Sequence, residues 1–421
     1  MTSMTKKDTD ARRVAVIGGG AAGMMAALKA AEMGADVTLF ERNDRLGKKL
    51  RITGKGRCNL TNHCDLNEFL SNVPTNPRFL YAALSRFSTA DTMDLFESAG
   101  VPLKTERGKR VFPQSDKAGD IVAAMDRLCR GAGVEVVHRR VDGLSIENER
   151  VTGVRYGSAV EEFDAVVICT GGRSYPMTGS DGDGYRMARE AGHTVTDLYP
   201  SLVPLVAEGK LCASLQGLSL KNVALRVKAL QTGKTVYEDF GEMLFTHYGL
   251  TGPMILSASA HLSDIQRGKY EAVIDLKPAL DEKTLDARIL SDFAKYRNRD
   301  FVNALDDLLP QKLIEPFVRL CGIDPRKKVH SVTREERERM VSILKGIRVP
   351  LVGFRPIDEA IVTRGGVSIK EIDPKTMRSK LCEGLYFAGE VLDVDAYTGG
   401  FNLQIAFSTA VLAGESAALW N

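Results

Sequence analysis

Several absences narrow what this 421-residue chain can do. Its seven cysteines include no C-x-x-C spacing and are odd in number, which argues against a disulfide framework and a zinc site. No apolar run approaches the ~18 residues of a membrane span. Met1 to Arg12 is polar and charged, without the apolar centre of a signal peptide, so a soluble, cytoplasmic protein is expected. Charge of one sign is not in excess: 57 basic residues stand against 54 acidic ones, a net of +3. That balance alone argues for neither a nucleic acid nor an anionic membrane as partner. Hydrophobic content of 44% and charged content of 26% are ordinary for a globular protein. At this length two or three domains are expected.

What is present begins at Arg13-Val-Ala-Val-Ile17, where the four apolar residues Val14 to Ile17 read as a short buried strand. Gly18, Gly20 and Gly23 follow in G-x-G-x-x-G spacing, and Met24 to Met33 continues as an Ala-rich helix. Gly18 permits a tight turn, Gly20 lets a pyrophosphate approach the backbone, and Gly23 lets helix and strand pack closely, with the helix N-terminus facing the anion. A second apolar strand, Val37 to Phe40, ends in Glu41, 18 residues beyond Gly23 (41 − 23). A carboxylate at about that distance accepts ribose hydroxyls. The N-terminus therefore reads as a dinucleotide site.

The loop from Arg42 to Asn62 carries Arg45, Lys48, Lys49, Arg51, Lys55 and Arg57. It is not a Walker A loop, because Gly54-Lys55 has no glycine five positions before Gly54 and no Ser or Thr after Lys55. It reads either as a loop that lays donors along a bound dinucleotide or as an exposed basic loop. Cys58 is either a redox thiol paired with Cys64 or a small residue packed beside the cofactor. Residues 77–99 show helical spacing, as do 120–131. Val134 to Val137 is a strand, and Val141 follows where a backbone pair meets an adenine. Gly143 to Ile146 and Val151 to Tyr156 suggest a hairpin. Asp164-Ala-Val-Val-Ile-Cys-Thr-Gly-Gly172 has the apolar character of a central parallel strand, stopping at Thr170-Gly171-Gly172 where such strands meet a ligand. A glycine-rich loop with Gly179, Gly182 and Gly184 leads into a helix over 185–191.

From Val195 to Ile274 strands dominate, with a turn at Gln231 to Lys234. Residues 278–346 are mostly helical, with a charged run at 334–339, and Gly353 to Val367 returns to strand. Another buried strand, Gly384 to Phe387, ends at Gly389-Glu390. Asp393 follows, placed either to hold ribose or ribityl hydroxyls or as a plain loop acid. Gly399-Gly400 precedes an Ala-rich helix over 401–418, repeating the anion-friendly geometry of the first motif.

Together these elements resemble the two-dinucleotide-binding-domain FAD flavoproteins. The finer match is to the BaiN/RdsA-type NAD(P)/FAD-dependent oxidoreductases. It is carried by Gly54-Lys-Gly-Arg-Cys-Asn-Leu-Thr-Asn62, Thr170-Gly-Gly-Arg-Ser-Tyr-Pro-Met-Thr-Gly-Ser180, Phe245-Thr-His-Tyr-Gly-Leu-Thr-Gly-Pro253 and Tyr397-Thr-Gly-Gly-Phe-Asn-Leu-Gln404. The resemblance runs from about residue 12 to the C-terminus. It implies an α/β fold: a Rossmann-type FAD-binding domain split by an inserted β-barrel-like domain and a small helical segment. The expected divisions are a polar tail (1–12), the FAD-binding domain in two parts (13–194 and 368–421), a β-rich substrate domain (195–277), a helical segment (278–348) and a return strand (349–367). It places FAD contacts at Gly18, Gly20, Ala21, Ala22, Gly23, Glu41 and Arg42. Further along, Lys49, Arg57, Cys58, Asn59, Thr61, Val141, Thr170, Gly171 and Gly172 join them. The last set is Gly389, Glu390, Asp393, Gly400, Phe401, Asn402 and Leu403.

The resemblance also implies an enzyme acting on CH–CH groups, transferring hydride from flavin N5 to a conjugated enone. The substrate it suggests is a 3-dehydro bile-acid Δ4/Δ6 compound. Family members are also associated with uridine reduction in ribosomal RNA and with peroxide-forming oxidation of aminoacetone. His247 is the best titratable proton donor, since imidazole titrates near pH 7. It reads equally as a histidine satisfying backbone groups at a strand end, and Tyr397 and Tyr175 are alternatives. No second strand–G-x-G-x-x-G–helix unit exists, so NAD(P)H is expected to dock transiently rather than in a dedicated domain. No metal site is expected, and oligomeric state is not legible.

Overall fold

A computed structural model describes residues 11–419, so most of the expected polar tail lies outside the described residues. The chain divides into two units, Met1–Pro200 with Ile357–Asn421, and Ser201–Pro356.

The first unit is built on a five-stranded parallel sheet. Its strands are β1 (Arg13–Ile17), β2 (Asp36–Phe40), β3 (Glu135–Val137), β4 (Ala165–Ile168) and β5 (Leu385–Phe387), in the order β5-β4-β1-β2-β3. Val14 pairs with Val37 on one side and Ala165 on the other, and Val166 pairs with Leu385. Val14, Ala15, Val16 and all of β4 are wholly buried, as expected for a parallel sheet covered on both faces. The covering helices include α1 (Ala21–Glu32), α2 (Ala118–Gly131), α3 (Asp183–Glu190) and α4 (Phe401–Ala418). Both α1 and α4 are rich in alanine, and the small side chains allow close approach. A Cβ on Gly414 of α4 would strike the Ala26 carbonyl of α1. Because α4 is apolar on nearly every side, it is buried between sheet and helices.

The expected hairpin after β3 is present as antiparallel Gly143–Glu147 and Arg150–Tyr156, joined by a third strand, Ala159–Glu162. The helical pattern over 77–99 does not form one helix. A 3₁₀ turn and a helix end at Arg86, and a new helix starts at Thr89. Ser88 interrupts the run: its hydroxyl accepts the Asp91 N–H while the Asp91 carboxylate accepts the Ser88 N–H, a capping box.

The second unit contains a closed antiparallel barrel. In spatial order its strands are Leu205–Ala207, Gly249–Thr251, Thr235–Phe245, Ser219–Ala229, Tyr270–Asp275 and Ile347–Phe354. The turn at 231–234 is closed by the Ala229 N–H donating to the Lys234 carbonyl at 2.9 Å. The intervening segment folds mainly as helices Glu282–Lys295, Gln311–Cys321 and Arg334–Lys345, which share an apolar core with the barrel. The strand expected from Gly353 to Val367 is instead two. The barrel strand ends at Phe354, Pro356 cannot donate to a ladder, and a separate strand runs Val362–Arg364. Among the described residues no helix is long and apolar enough to cross a membrane, and no cluster could hold a metal ion.

The contact between α1 and α4 is directly testable. Gly414→Val should cost about 1–3 kcal/mol by overpacking, read as an earlier urea midpoint for the first unit. An unchanged midpoint would show that the two helices tolerate separation.

Candidate functional site

The turn between β1 and α1 separates its three glycines by purpose. Gly18 holds φ +104°, and a Cβ there would lie 2.6 Å from the Cys169 carbonyl oxygen at the end of β4. A Cβ on Gly23 would be driven into the Gly18 carbonyl. These two are demanded by packing. Gly20 differs, because a Cβ there meets nothing within 4 Å. It is the N-cap of α1 with no side-chain cap, so the first-turn N–H groups at Ala21 and Ala22 are left for a ligand.

At the end of β2 the buried Glu41 carboxylate accepts the Gly19 N–H at 2.8 Å with one oxygen. The other oxygen accepts the Asn43 N–H at 2.8 Å and the Asn43 side chain at 2.6 Å. Three of about four acceptor positions are used, leaving one for a hydroxyl. The carboxylate is thus fixed in place by the phosphate turn that it borders.

A second helix start repeats the arrangement. Gly400 caps α4 at φ +98° with no side-chain cap, and a Cβ there would strike the Thr61 carbonyl. Asn402 folds back to bond both backbone groups of Ala396 and the Tyr397 carbonyl, while Phe401 is buried and Leu403 half-buried. The Thr61 hydroxyl donates to the Gln404 side chain at 2.6 Å and is spent inside the fold. All seven cysteines are free and buried. Burial pushes the Cys58 thiol up to about 12 and the Cys64 thiol up to about 11. A thiolate is therefore scarce at neutral pH, and Cys58 reads as the packed residue rather than a redox thiol. Asn59 Oδ1 and Thr170 Oγ1 are buried without a hydrogen-bond partner, polar atoms of the kind a bound polar group satisfies.

Beyond the ends of β4 and β5 lies a polar knot that sequence reasoning found only in part. Glu390 accepts Lys49 Nζ at 2.7 Å, Ser174 Oγ at 3.0 Å and the Thr363 N–H at 2.9 Å. Lys49 also donates to Ser174 Oγ at 2.8 Å, and Thr363 Oγ1 accepts the Arg173 and Ser174 N–H groups. Gly172 is required here, since its Cβ would lie 2.9 Å from Glu390 Oε1. Gly171 turns at φ +73° and Gly389 at φ +79°, the latter against the Ala22 methyl. Ser174 and Thr363 were missed because an isolated hydroxyl residue carries no spacing signal. Burial raises the Asp393 carboxyl, against the hydrogen bonds of Thr196 and Asn76 and the charge of Arg364.

Other expected contacts have partners elsewhere. Arg42 pairs with Asp181 and lies 3.5 Å from Asp183. Arg57 holds Glu106 at 2.5 Å and Asp116 at 2.6 Å, stacked 4.2 Å above Phe112. Val141 is buried beyond β3. Tyr175 is half-buried at φ +52°, and Tyr397 is half-buried with its N–H on the Asn72 carbonyl. His247 belongs to the second unit, where it is exposed on the turn between two barrel strands. Thr246 and Gly249 satisfy that turn's backbone, so the imidazole is not needed there; its ring packs edge-on against Tyr248 at 4.9 Å.

Two uncapped helix starts, a glycine facing open space, a ribose-type carboxylate and two orphaned buried oxygens fit a dinucleotide cofactor. Gly18 to Gly23, Glu41, Asn59, Thr170 and the start of α4 would hold it. Comparison with known proteins agrees. Residues 12–416 match the family described as "HI0933-like protein Rossmann domain". The chain is 31% identical to the 3-dehydro-bile acid delta(4,6)-reductase of Clostridium scindens, over 96% of this chain and 99% of that protein. It is also 31% identical to the ribosomal RNA dihydrouridine synthase of Escherichia coli, over 94% and 95%. Among solved structures, the 3-ketosteroid-delta4-(5alpha)-dehydrogenase of Rhodococcus jostii shares the fold at a TM-score of 0.52 and 17% identity, covering 99% of both chains. A flavocytochrome c3 fumarate reductase shares it at 0.52 and 17%, covering 98% of this chain and 79% of that one. The chain belongs to the HI0933-like Rossmann family and is an FAD-dependent oxidoreductase.

Gly20→Val is expected to abolish FAD retention while leaving far-UV circular dichroism unchanged, because the new side chain fills ligand space and its Cβ meets nothing within 4 Å. Full yellow occupancy would refute this reading of the turn. On the apoprotein, Asp393→Asn should gain stability over the parent as pH rises. The raised carboxyl favours the folded state only below the unfolded value of about 4, and that contribution is lost as pH climbs through the folded value. Parallel urea midpoints across pH 4–7 would refute it.

Proposed function

We propose that this protein reduces the conjugated carbon–carbon double bond of an enone, with 3-dehydro bile-acid Δ4/Δ6 compounds as the concrete substrates and NAD(P)H as the electron source. FAD, when bound, supplies the hydride. The chain's own residues place the cofactor, receive the substrate and deliver one proton to the α-carbon. His247 is the proposed donor: it is exposed, its ring is not committed to the backbone of its turn, and an imidazole suits acid–base work near neutrality. Tyr175 and Tyr397 are the alternatives.

The observation that favours a small substrate over RNA is how the basic residues are used. A polynucleotide site needs cations free to meet phosphates. In the two basic stretches, 45–57 and 104–110, five of the ten basic residues (Lys49, Arg57, Lys104, Lys109 and Arg110) already hold the protein's own carboxylates, while Arg45, Lys48, Arg51, Lys55 and Arg107 hold none among the described residues. Arg57 holds Glu106 and Asp116, Lys104 holds Asp116 at 2.7 Å, Lys109 holds Glu68 at 2.6 Å, and Lys49 holds Glu390. The equal identity to a ribosomal RNA dihydrouridine synthase keeps uridine reduction as the second reading.

Anaerobic stopped-flow on the NADH-reduced enzyme separates them. Fast flavin reoxidation by a 3-oxo-Δ4 steroid or bile acid, and not by a uridine-containing ribosomal RNA fragment, is expected. Reoxidation by the RNA alone would move the substrate to the ribosome, and reaction with oxygen alone would favour an oxidase. His247→Ala should slow the steroid step by about 10²-fold or more, in keeping with loss of a general acid. An unchanged rate would return the proton to Tyr175 or Tyr397.

A further inference from the structure

The knot of Lys49, Ser174, Thr363 and Glu390 ties four chain segments together, and three of them each lift one large apolar side chain into solvent. Ile52, whose N–H donates to the Lys49 carbonyl at 3.1 Å, is 47% exposed. Met177, three residues after Ser174, is 85% exposed. Ile361, whose carbonyl lies 3.4 Å from Ser174 Oγ, is 38% exposed. The Met177 segment is held in an unusual shape. Tyr175 adopts φ +52°, uncommon for a residue with a side chain, and its carbonyl accepts both the N–H and the hydroxyl of Thr178.

Single exposed apolar residues are ordinary and need no explanation. Three on separate segments, gathered by hydrogen bonds to one ion pair, form a pattern. The knot also lies past the C-terminal ends of β4 and β5, the side on which open parallel sheets bind ligands, and it shares Glu390 with the expected cofactor loop.

We propose that Ile52, Met177 and Ile361 form an apolar rim that grips the hydrocarbon face of a fused-ring ketone as it reaches the cofactor. The proposal rests on the enone-reductase reading above and gives that reading its recognition element. All three side chains are exposed, so polar substitutions should not disturb folding.

The test is steady-state and stopped-flow kinetics of the FAD-loaded full chain with a 3-oxo-Δ4 steroid. Met177→Asp and Ile361→Asp should each raise KM at least tenfold, while Met177→Leu retains the parent KM. Leu381→Asp, 42% exposed and so close to Ile361 in exposure but on a segment not joined to the knot, should leave KM where it is. Parent-like KM in both aspartate variants would overturn the rim while leaving the reductase reading standing. Absence of steroid-dependent reoxidation in the unsubstituted enzyme would instead remove that reading itself. A tenfold rise in KM for Leu381→Asp would overturn the rim too, by showing that any added surface carboxylate has the same effect.

Discussion

The close approach of backbone to backbone at Gly18 and Gly23 is the constraint on which the first unit depends. Gly18 leaves β1 against the Cys169 carbonyl, and Gly23 returns the chain within contact of Gly18 itself. No side chain fits at either place. That double contact fixes α1 on the sheet with its N-terminus at the strand ends, and the Gly18 N–H is anchored on the Phe40 carbonyl at 2.8 Å. The same geometry leaves Gly20 at the edge with open space before it. Anion affinity here thus follows from packing: a helix forced so close to its strand must present uncapped N–H groups outward.

From that fixed point two loops of the site are tied in by short polar links. Glu41 spans from β2 back to the phosphate turn, and Glu390 gathers the segments after β4 and β5. Both carboxylates are nearly saturated by N–H and O–H donors, which is what makes a buried or half-buried charge tolerable. Their role in positioning is therefore separable from any direct contact with a ligand. α4 supplies the second uncapped start, and its small residues let it lie against α1, so the two helix termini are set by one packing interface.

Much of this was legible in the sequence because glycine and apolar runs have strong positional meaning. The five parallel strands, the phosphate turn, Glu41 and the return of the chain at Gly389-Glu390 all announce themselves by composition and spacing. What was not legible was of two kinds, a local cap that interrupts a periodic run and partners far away in sequence. Ser88 ends a helical pattern through a single reciprocal cap with Asp91, a local event that periodicity averages over. Arg57 looks like a cofactor ligand by its motif, yet Glu106 and Asp116, about 50 and 60 residues on by count, are brought to it by the strand pair 103–113. Thr363 and Ser174 carry no spacing that links them to each other until the fold places them on one carboxylate.

The pairing of cations bears on substrate choice more strongly than the overall charge does. A net of +3 is compatible with a concentrated basic face or with none. Each basic side chain already holding a carboxylate must break that bond, or carry the carboxylate along, to meet a phosphate. Exposed pairs are individually weak, so the protein loses little by separating one. Separating several at once, beside carboxylates that repel the same phosphates, removes the counterion-release advantage that drives polynucleotide binding. An uncharged ring system meets no such penalty, and its contact with apolar surface gains from the removal of water.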